Sequence, residues 1–230
     1  MGRQELPEGL DGALFDLDRT LIDVNSGRLW LAAEWRAGRI SMGDVAWGGY
    51  WLLRYSLGHE EGLDQVFDTA TRTLAGTSEA ELDERVRAWF DRELTHRLRP
   101  GAATVLEAHR ARGHRLVVAT SSSTYVARRA MEVFGLEDEV STTFHVRDGL
   151  FEGTIDRMAI GSAKDAAVAA WAATEAVDLS RWAFYTDSHS DLALMERVGH
   201  PVAVHPDRRL AAVARARGWP VVDWGTSSVG

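Results

Sequence analysis

The sequence predicts an α/β fold: a parallel sheet with helices on both faces, three layers in all, interrupted early by a helical insertion. Three observations lead there. Short apolar runs alternate with helical stretches from residue 100 onward, which is the pattern of a doubly covered parallel sheet. One further apolar run, 13–17, is separated from those by a long block of helical periodicity, 24–98. At 230 residues the chain suits a single core carrying a sizeable insertion.

In order, residues 13–17 form a strand that is apolar except for Asp16 and ends in Asp18-Arg19-Thr20. Within the insertion, Ser41 with Asp44 and Ser78 with Glu81 have capping-box spacing, and Gly38, Gly58 and Gly76 stand where helices stop. Leu82, Val86, Trp89, Phe90 and Leu94 make a helical stripe. Residues 24–98 thus read as a helical-bundle cap, and 1–23 with 99–230 as the core. Beyond it come helix 102–112, strand 115–119, helix 124–134 closed by Gly135, and a hairpin of 143–146 with 150–155. Helix 162–175, strand 182–186, helix 191–198, strand 202–205, helix 208–217 and strand 221–224 complete a Rossmann-like core.

Composition narrows the function. A 45% hydrophobic and 26% charged chain is ordinary globular material, and a net charge of −8 gives no pull toward nucleic acid or anionic membrane. The absence of cysteine excludes disulfide scaffolds, zinc-thiolate sites and thiol nucleophiles. Residues 1–7 carry no export signal, and the longest apolar run, 45–53, is too short to span a bilayer, so a cytoplasmic location is expected. Lys164 is the single lysine among 26 basic residues, a hint that a compact ammonium is required there.

In parallel sheets of this kind ligands sit beyond the carboxyl ends of the strands. The polar residues expected at that rim are Asp16 and Asp18, Thr120 with Ser121 and Ser122, Lys164, and Asp187 with Asp191. Carboxylates packed together need a cation, and oxygen donors without Cys or His favour a hard one, Mg²⁺ where phosphate is handled. Lys164 and Thr120 suit anionic oxygens, and the serines after Thr120 open a helix whose N–H groups can face an anion.

At this point Asp16-Leu17-Asp18-Arg19-Thr20, Thr120, Lys164 and Asp187 with Asp191 resemble the four ordered motifs of the haloacid dehalogenase superfamily. The insertion, and a tail containing Gly199-His200-Pro201, Pro206-Asp207 and Gly218-Trp219-Pro220, are similar to its phosphoserine-phosphatase-like branch. The resemblance implies a phosphomonoester hydrolase with Asp16 as nucleophile and Asp18 as acid and base. It implies Mg²⁺ on Asp16, the Asp18 main-chain carbonyl and Asp187, with Asp191 orienting these ligands and Thr20 supporting the loop. Thr120, Ser121 and Lys164 would bind the phosphoryl group of a small phosphate ester.

Three positions depart from the family pattern. Arg19 stands where a small residue is frequent, and Ala163 replaces the acidic residue often found before the lysine. Asn25 replaces the glutamate that binds the substrate amine in phosphoserine phosphatases, which argues against phosphoserine. Rival readings are a phosphotransferase or mutase on the same scaffold, a receiver-type signalling domain, and a non-enzymatic binder of phosphate esters. The receiver is the poorest fit, being half this length and without an insertion. Trp30, Trp35, Trp47, Tyr50, Trp51, Tyr55 and Trp89 form either a bundle core or an apolar wall over the site.

Overall fold

The computed structural model describes residues 6–43, 46, 50 and 71–227. One sheet contains β1 (Gly12–Phe15), β2 (Arg115–Ser123), β3 (Asp138–Arg147), β4 (Leu150–Arg157), β5 (Trp182–Thr186), β6 (His200–Val204) and β7 (Val221–Val222). Their order is β4-β3-β2-β1-β5-β6-β7, and every neighbouring pair is parallel except β3–β4. The chain leaves β1 toward β2 and β3 on one side and later returns to place β5 and β6 on the other. The carboxyl end of β1 is therefore a topological switch point, where a crevice opens.

Alternation along the strands builds the two faces. Ala13 and Phe15, Leu116 and Val118, and Ala183 and Tyr185 join one apolar cluster with α3 (Pro100–Arg110) and α4 (Thr124–Phe134). Leu14, Val117, Ala119 and Phe184 join the other with α5 (Ser162–Thr174), α6 (Leu192–Arg197) and α7 (Arg208–Arg217). The three-layer α/β core is as the sequence predicts, and helices 124–134 and 208–217 match to the residue.

The largest difference is β3, which begins at Asp138 and pairs parallel with β2 before entering the hairpin. Its first half is too polar to read as a buried strand. Its two carboxylates take partners from other elements: Arg115 Nη2 and Trp171 Nε1 donate to Asp138 at 2.8 Å, and Thr124 Oγ1 donates to Glu139 at 2.8 Å.

The insertion is stapled where it leaves and rejoins the core. Ile22 and Leu98 form an antiparallel bridge, flanked by Asp23 N–H to Arg97 O (3.2 Å) and Arg99 N–H to Leu21 O (2.9 Å). Between them lie α1 (Ser26–Arg36) and α2 (Glu79–Glu93), the latter capped by Ser78 and burying the expected stripe. Helix α2 docks on α4 through Phe90 against Phe134 (5.8 Å between rings) and the Arg129–Asp91 ion pair. Of the insertion aromatics, Trp30 meets buried Trp89 edge-on at 5.2 Å. Trp35 and Tyr50 are exposed. Asp44, Gly58, Trp47, Trp51 and Tyr55 lie outside the described residues. Among the described residues no helix is long and apolar enough to cross a membrane.

Beneath the sheet, fully buried His109 bonds Tyr185 Oη through Nε2 (3.0 Å) and His114 Nδ1 through its own Nδ1 (2.8 Å). Burial holds His109 neutral down to about pH 3 and lowers His114 as well. The unfolded imidazole takes up its proton near pH 6.5, while the folded one resists, so stability present at neutral pH is lost as pH falls. For His109 that amounts to about 2 kcal/mol between pH 7 and 5. Urea midpoints at the two pH values should show it, and His109→Gln, which does not titrate, should flatten the dependence. An equal pH dependence in the variant would place the acid sensitivity elsewhere.

Candidate active site

The parallel register aligns Phe15 of β1 with Val118 of β2 and Tyr185 of β5. Asp16, Thr120 and Asp187 follow within two residues of that level and so reach the same rim of the sheet. Asp16 is 6% and Asp187 8% exposed, and Thr120 is fully buried. The Asp16 N–H donates to Tyr185 O at 2.9 Å, which continues the ladder one residue past the strand.

The chain then tightens into an irregular turn with i→i+5 bonds, Leu21 N–H to Asp16 O (3.3 Å) and Ile22 N–H to Leu17 O (3.0 Å). Arg19 sits in it at φ +58°, a left-handed conformation that costs a non-glycine residue about 1 kcal/mol. Its main chain is held at both ends: Arg19 N–H donates to Val24 O (3.0 Å), and Arg99 Nε donates to Arg19 O (3.2 Å). This explains why a small residue is frequent at that position. Thr20 is fully buried beneath the turn, and its Oγ1 has no hydrogen-bond partner among the described residues. It supports the loop by packing.

Lys164, in the first turn of α5, extends its ammonium into this cluster and is 2% exposed. Its Nζ lies 2.9 Å from Asp16 Oδ1 and 2.9 Å from Asp191 Oδ1, and Asp191 Oδ2 also accepts from Thr186 Oγ1 at 2.6 Å. Asp191 is therefore committed to orienting Lys164 and the end of β5, and Leu192 begins α6 after it. Asp18 is bound by Ser26, whose N–H donates to Oδ1 (2.7 Å) and whose Oγ donates to Oδ2 (3.0 Å).

The residues after Thr120 have different partners. Thr120 Oγ1 accepts from Ser122 N–H at 3.2 Å. Ser122 comes to the acidic pair, its Oγ 3.5 Å from Asp18 Oδ2. The Ser121 carbonyl is engaged by Thr142 Oγ1 at 3.1 Å, and α4 begins at Thr124 without a side-chain cap. Composition alone had no means of separating the two serines.

Two positioning residues received no role from the sequence. Arg99 braces the turn as described. Asp207 holds the opposite loop: its N–H donates to Asp187 O (2.8 Å), and its carboxylate accepts from His189 N–H (2.7 Å) and caps α7. The signal was present in Asp207 directly before a helix of Arg and Ala. Asn25 caps α1 by accepting from Arg28 N–H at 2.9 Å, so its side chain has a local use that a glutamate would perform less well.

Electrostatically the site is overloaded with negative charge. Burial pushes Asp16 up to about 7 against the pull of Lys164. Burial, then Asp16 and Asp191, hold Asp187 well above the usual carboxylate range, and burial also raises Asp18. Carboxylates that raise one another are the surroundings a divalent cation relieves. Among the described residues no three acidic or histidine side chains close on one point. Asp16 and Asp187, with the main-chain carbonyl of Asp18, are oxygen donors of the kind Mg²⁺ takes, the rest of its shell being water and phosphate. The residues fit that ion.

Comparison with known proteins follows the same lines. Residues 13–196 match the family model described as haloacid dehalogenase-like hydrolase. The chain is 31% identical over 216 residues to an "inhibition of morphological differentiation protein" of Streptomyces azureus, spanning 92% of this chain and 78% of that one. It is 28% identical over 220 residues to a phosphoserine phosphatase of Mycobacterium tuberculosis, spanning 92% and 70%. A solved structure from Bordetella pertussis, of unknown function, superposes with a TM-score of 0.80 at 29% identity, covering 93% of this chain and 98% of that one.

Proposed function

From the premise that the chain belongs to the haloacid dehalogenase-like hydrolase family and is a phosphatase, we propose that it hydrolyses a small phosphomonoester through an aspartyl-phosphate on Asp16. The observation that carries this reading is the buried Asp16–Lys164–Asp191 ion triad at the switch point, with Asp18 beside it. An Asp16 oxygen attacks phosphorus while the ester oxygen leaves with the proton of Asp18. Asp18, now a carboxylate, takes a proton from the water that attacks the phosphoryl group, releasing inorganic phosphate and restoring both groups. Lys164 and Thr120, with the N–H groups opening α4, offset the charge of the phosphoryl oxygens.

Asp16, Asp187 and the Asp18 carbonyl would hold Mg²⁺, which when bound neutralises charge on the transferring phosphoryl group. Residues 24–98 would act as a cap over the site, excluding bulk water. The use of Asn25 as a helix cap supports a substrate other than phosphoserine. A panel of phosphoserine, sugar phosphates, nucleotides, aryl phosphates and alkyl phosphates tests the reading. Phosphate release should require Mg²⁺ and cease with chelator, and Mg²⁺ should raise the melting temperature by several degrees. Release that ignores chelator, with no thermal shift, would rule out the metal.

A further inference from the structure

We propose that Ser26, assisted by Ser122, is the positioning residue that aims the Asp18 carboxyl group at the leaving-group oxygen. Ser26 is 1% exposed, a polar residue buried at the first turn of α1. It does not cap its own helix, because Asn25 does. Instead it spends both of its donors on Asp18, N–H on Oδ1 at 2.7 Å and Oγ–H on Oδ2 at 3.0 Å. One donor on each oxygen fixes the plane of the carboxyl group as well as its place.

The third contact comes from the other side of the crevice. Ser122, at the end of β2, stands 3.1 Å from Ser26 Oγ and 3.5 Å from Asp18 Oδ2. Asp18 is thus clasped between a core strand and the first helix of the insertion. Groups held by several hydrogen bonds from rigid elements keep the near-attack geometry that proton transfer demands. Asp18 carries such a clasp because the extended residue before Arg19 has no helix or strand of its own to orient it.

The inference rests on the reading of Asp18 as the acid, and leaving-group dependence separates the two. An alkyl phosphate needs a proton on its departing oxygen, whereas p-nitrophenyl phosphate leaves as a stable anion. The measured quantity is the ratio of kcat/KM for an alkyl phosphate to that for p-nitrophenyl phosphate, which reports the first chemical step. Ser26→Ala should lower this ratio by about tenfold or more, Ser122→Ala by a smaller factor, and Ser26→Thr should restore it. In an Asp18→Asn background the serine substitutions should no longer change the ratio.

A Ser26→Ala variant whose two activities fall together would overturn the positioning role and leave the acid assignment standing. A ratio unchanged by Asp18→Asn itself would remove that assignment, and the inference with it. Should Ser26→Ala fail to fold, the Ser122→Ala ratio and its dependence on Asp18 decide the question.

Discussion

Replacing Asp16 by Asn is expected to lower phosphate release by more than about 10⁴-fold, on the scale seen when a hydrolase loses its nucleophile. The same change should raise the melting temperature of the metal-free protein. Asp16 is buried with Asp187 and Asp191 near one ammonium, with half-buried Asp18 beside them, and burial has already pushed it up to about 7. An amide of the same shape removes one of these mutually repelling charges, and Lys164 keeps Asp191 as partner. Relief of about 1 kcal/mol corresponds to a rise of roughly 2–4 °C in a chain of this size. Loss of activity with gain of stability is the signature of a group kept for chemistry. Calorimetry in chelator, beside the phosphate assay, measures both. A variant retaining more than a few per cent of the activity, confirmed with Asp16→Ala to exclude deamidation, would show that another group attacks phosphorus.

The acidic rim was legible in the sequence for a physical reason. A carboxylate one residue past a short, fully buried strand has nowhere to go but the strand's carboxyl end, and Asp16 and Asp187 both have that placement. Lys164 stood out through residue usage alone. What stayed hidden depends on contacts between distant segments. Ser26 is separated from Ser122 by 96 positions, and Arg99 from Arg19 by 80. Neither pair leaves a periodicity or a spacing to read. The first half of β3 was hidden for a related reason, because its carboxylates Asp138 and Glu139 are engaged by Arg115, Thr124 and Trp171 from three other elements. Local pattern reports which face of an element is buried, and it is silent on polar groups whose partners arrive from elsewhere.

Removal of the Lys164 charge should have the opposite thermodynamic sign to removal of the Asp16 charge. Lys164→Met preserves volume but leaves Asp16 and Asp191 buried without their shared cation, a change of the kind that costs about 3–5 kcal/mol. The melting temperature should fall by roughly 10 °C and phosphate release should be lost. Lys164→Arg is the sharper experiment. It keeps the charge, and every other basic residue in the chain is already arginine, so no general preference against guanidinium operates. At this position, however, one nitrogen meets Asp16 Oδ1 and Asp191 Oδ1 at 2.9 Å each, in a space that leaves the side chain 3% exposed. A planar fork spreads its donors over several atoms and needs more room than a point charge with three donors. Arginine should therefore recover part of the lost stability and almost none of the activity. Near-native phosphate release from Lys164→Arg would mean that any cation serves at the end of α5, and that the chain's single lysine is an accident of composition. Stability recovered without activity would mean that the ammonium is kept because Asp16 must be both held and left open to phosphorus.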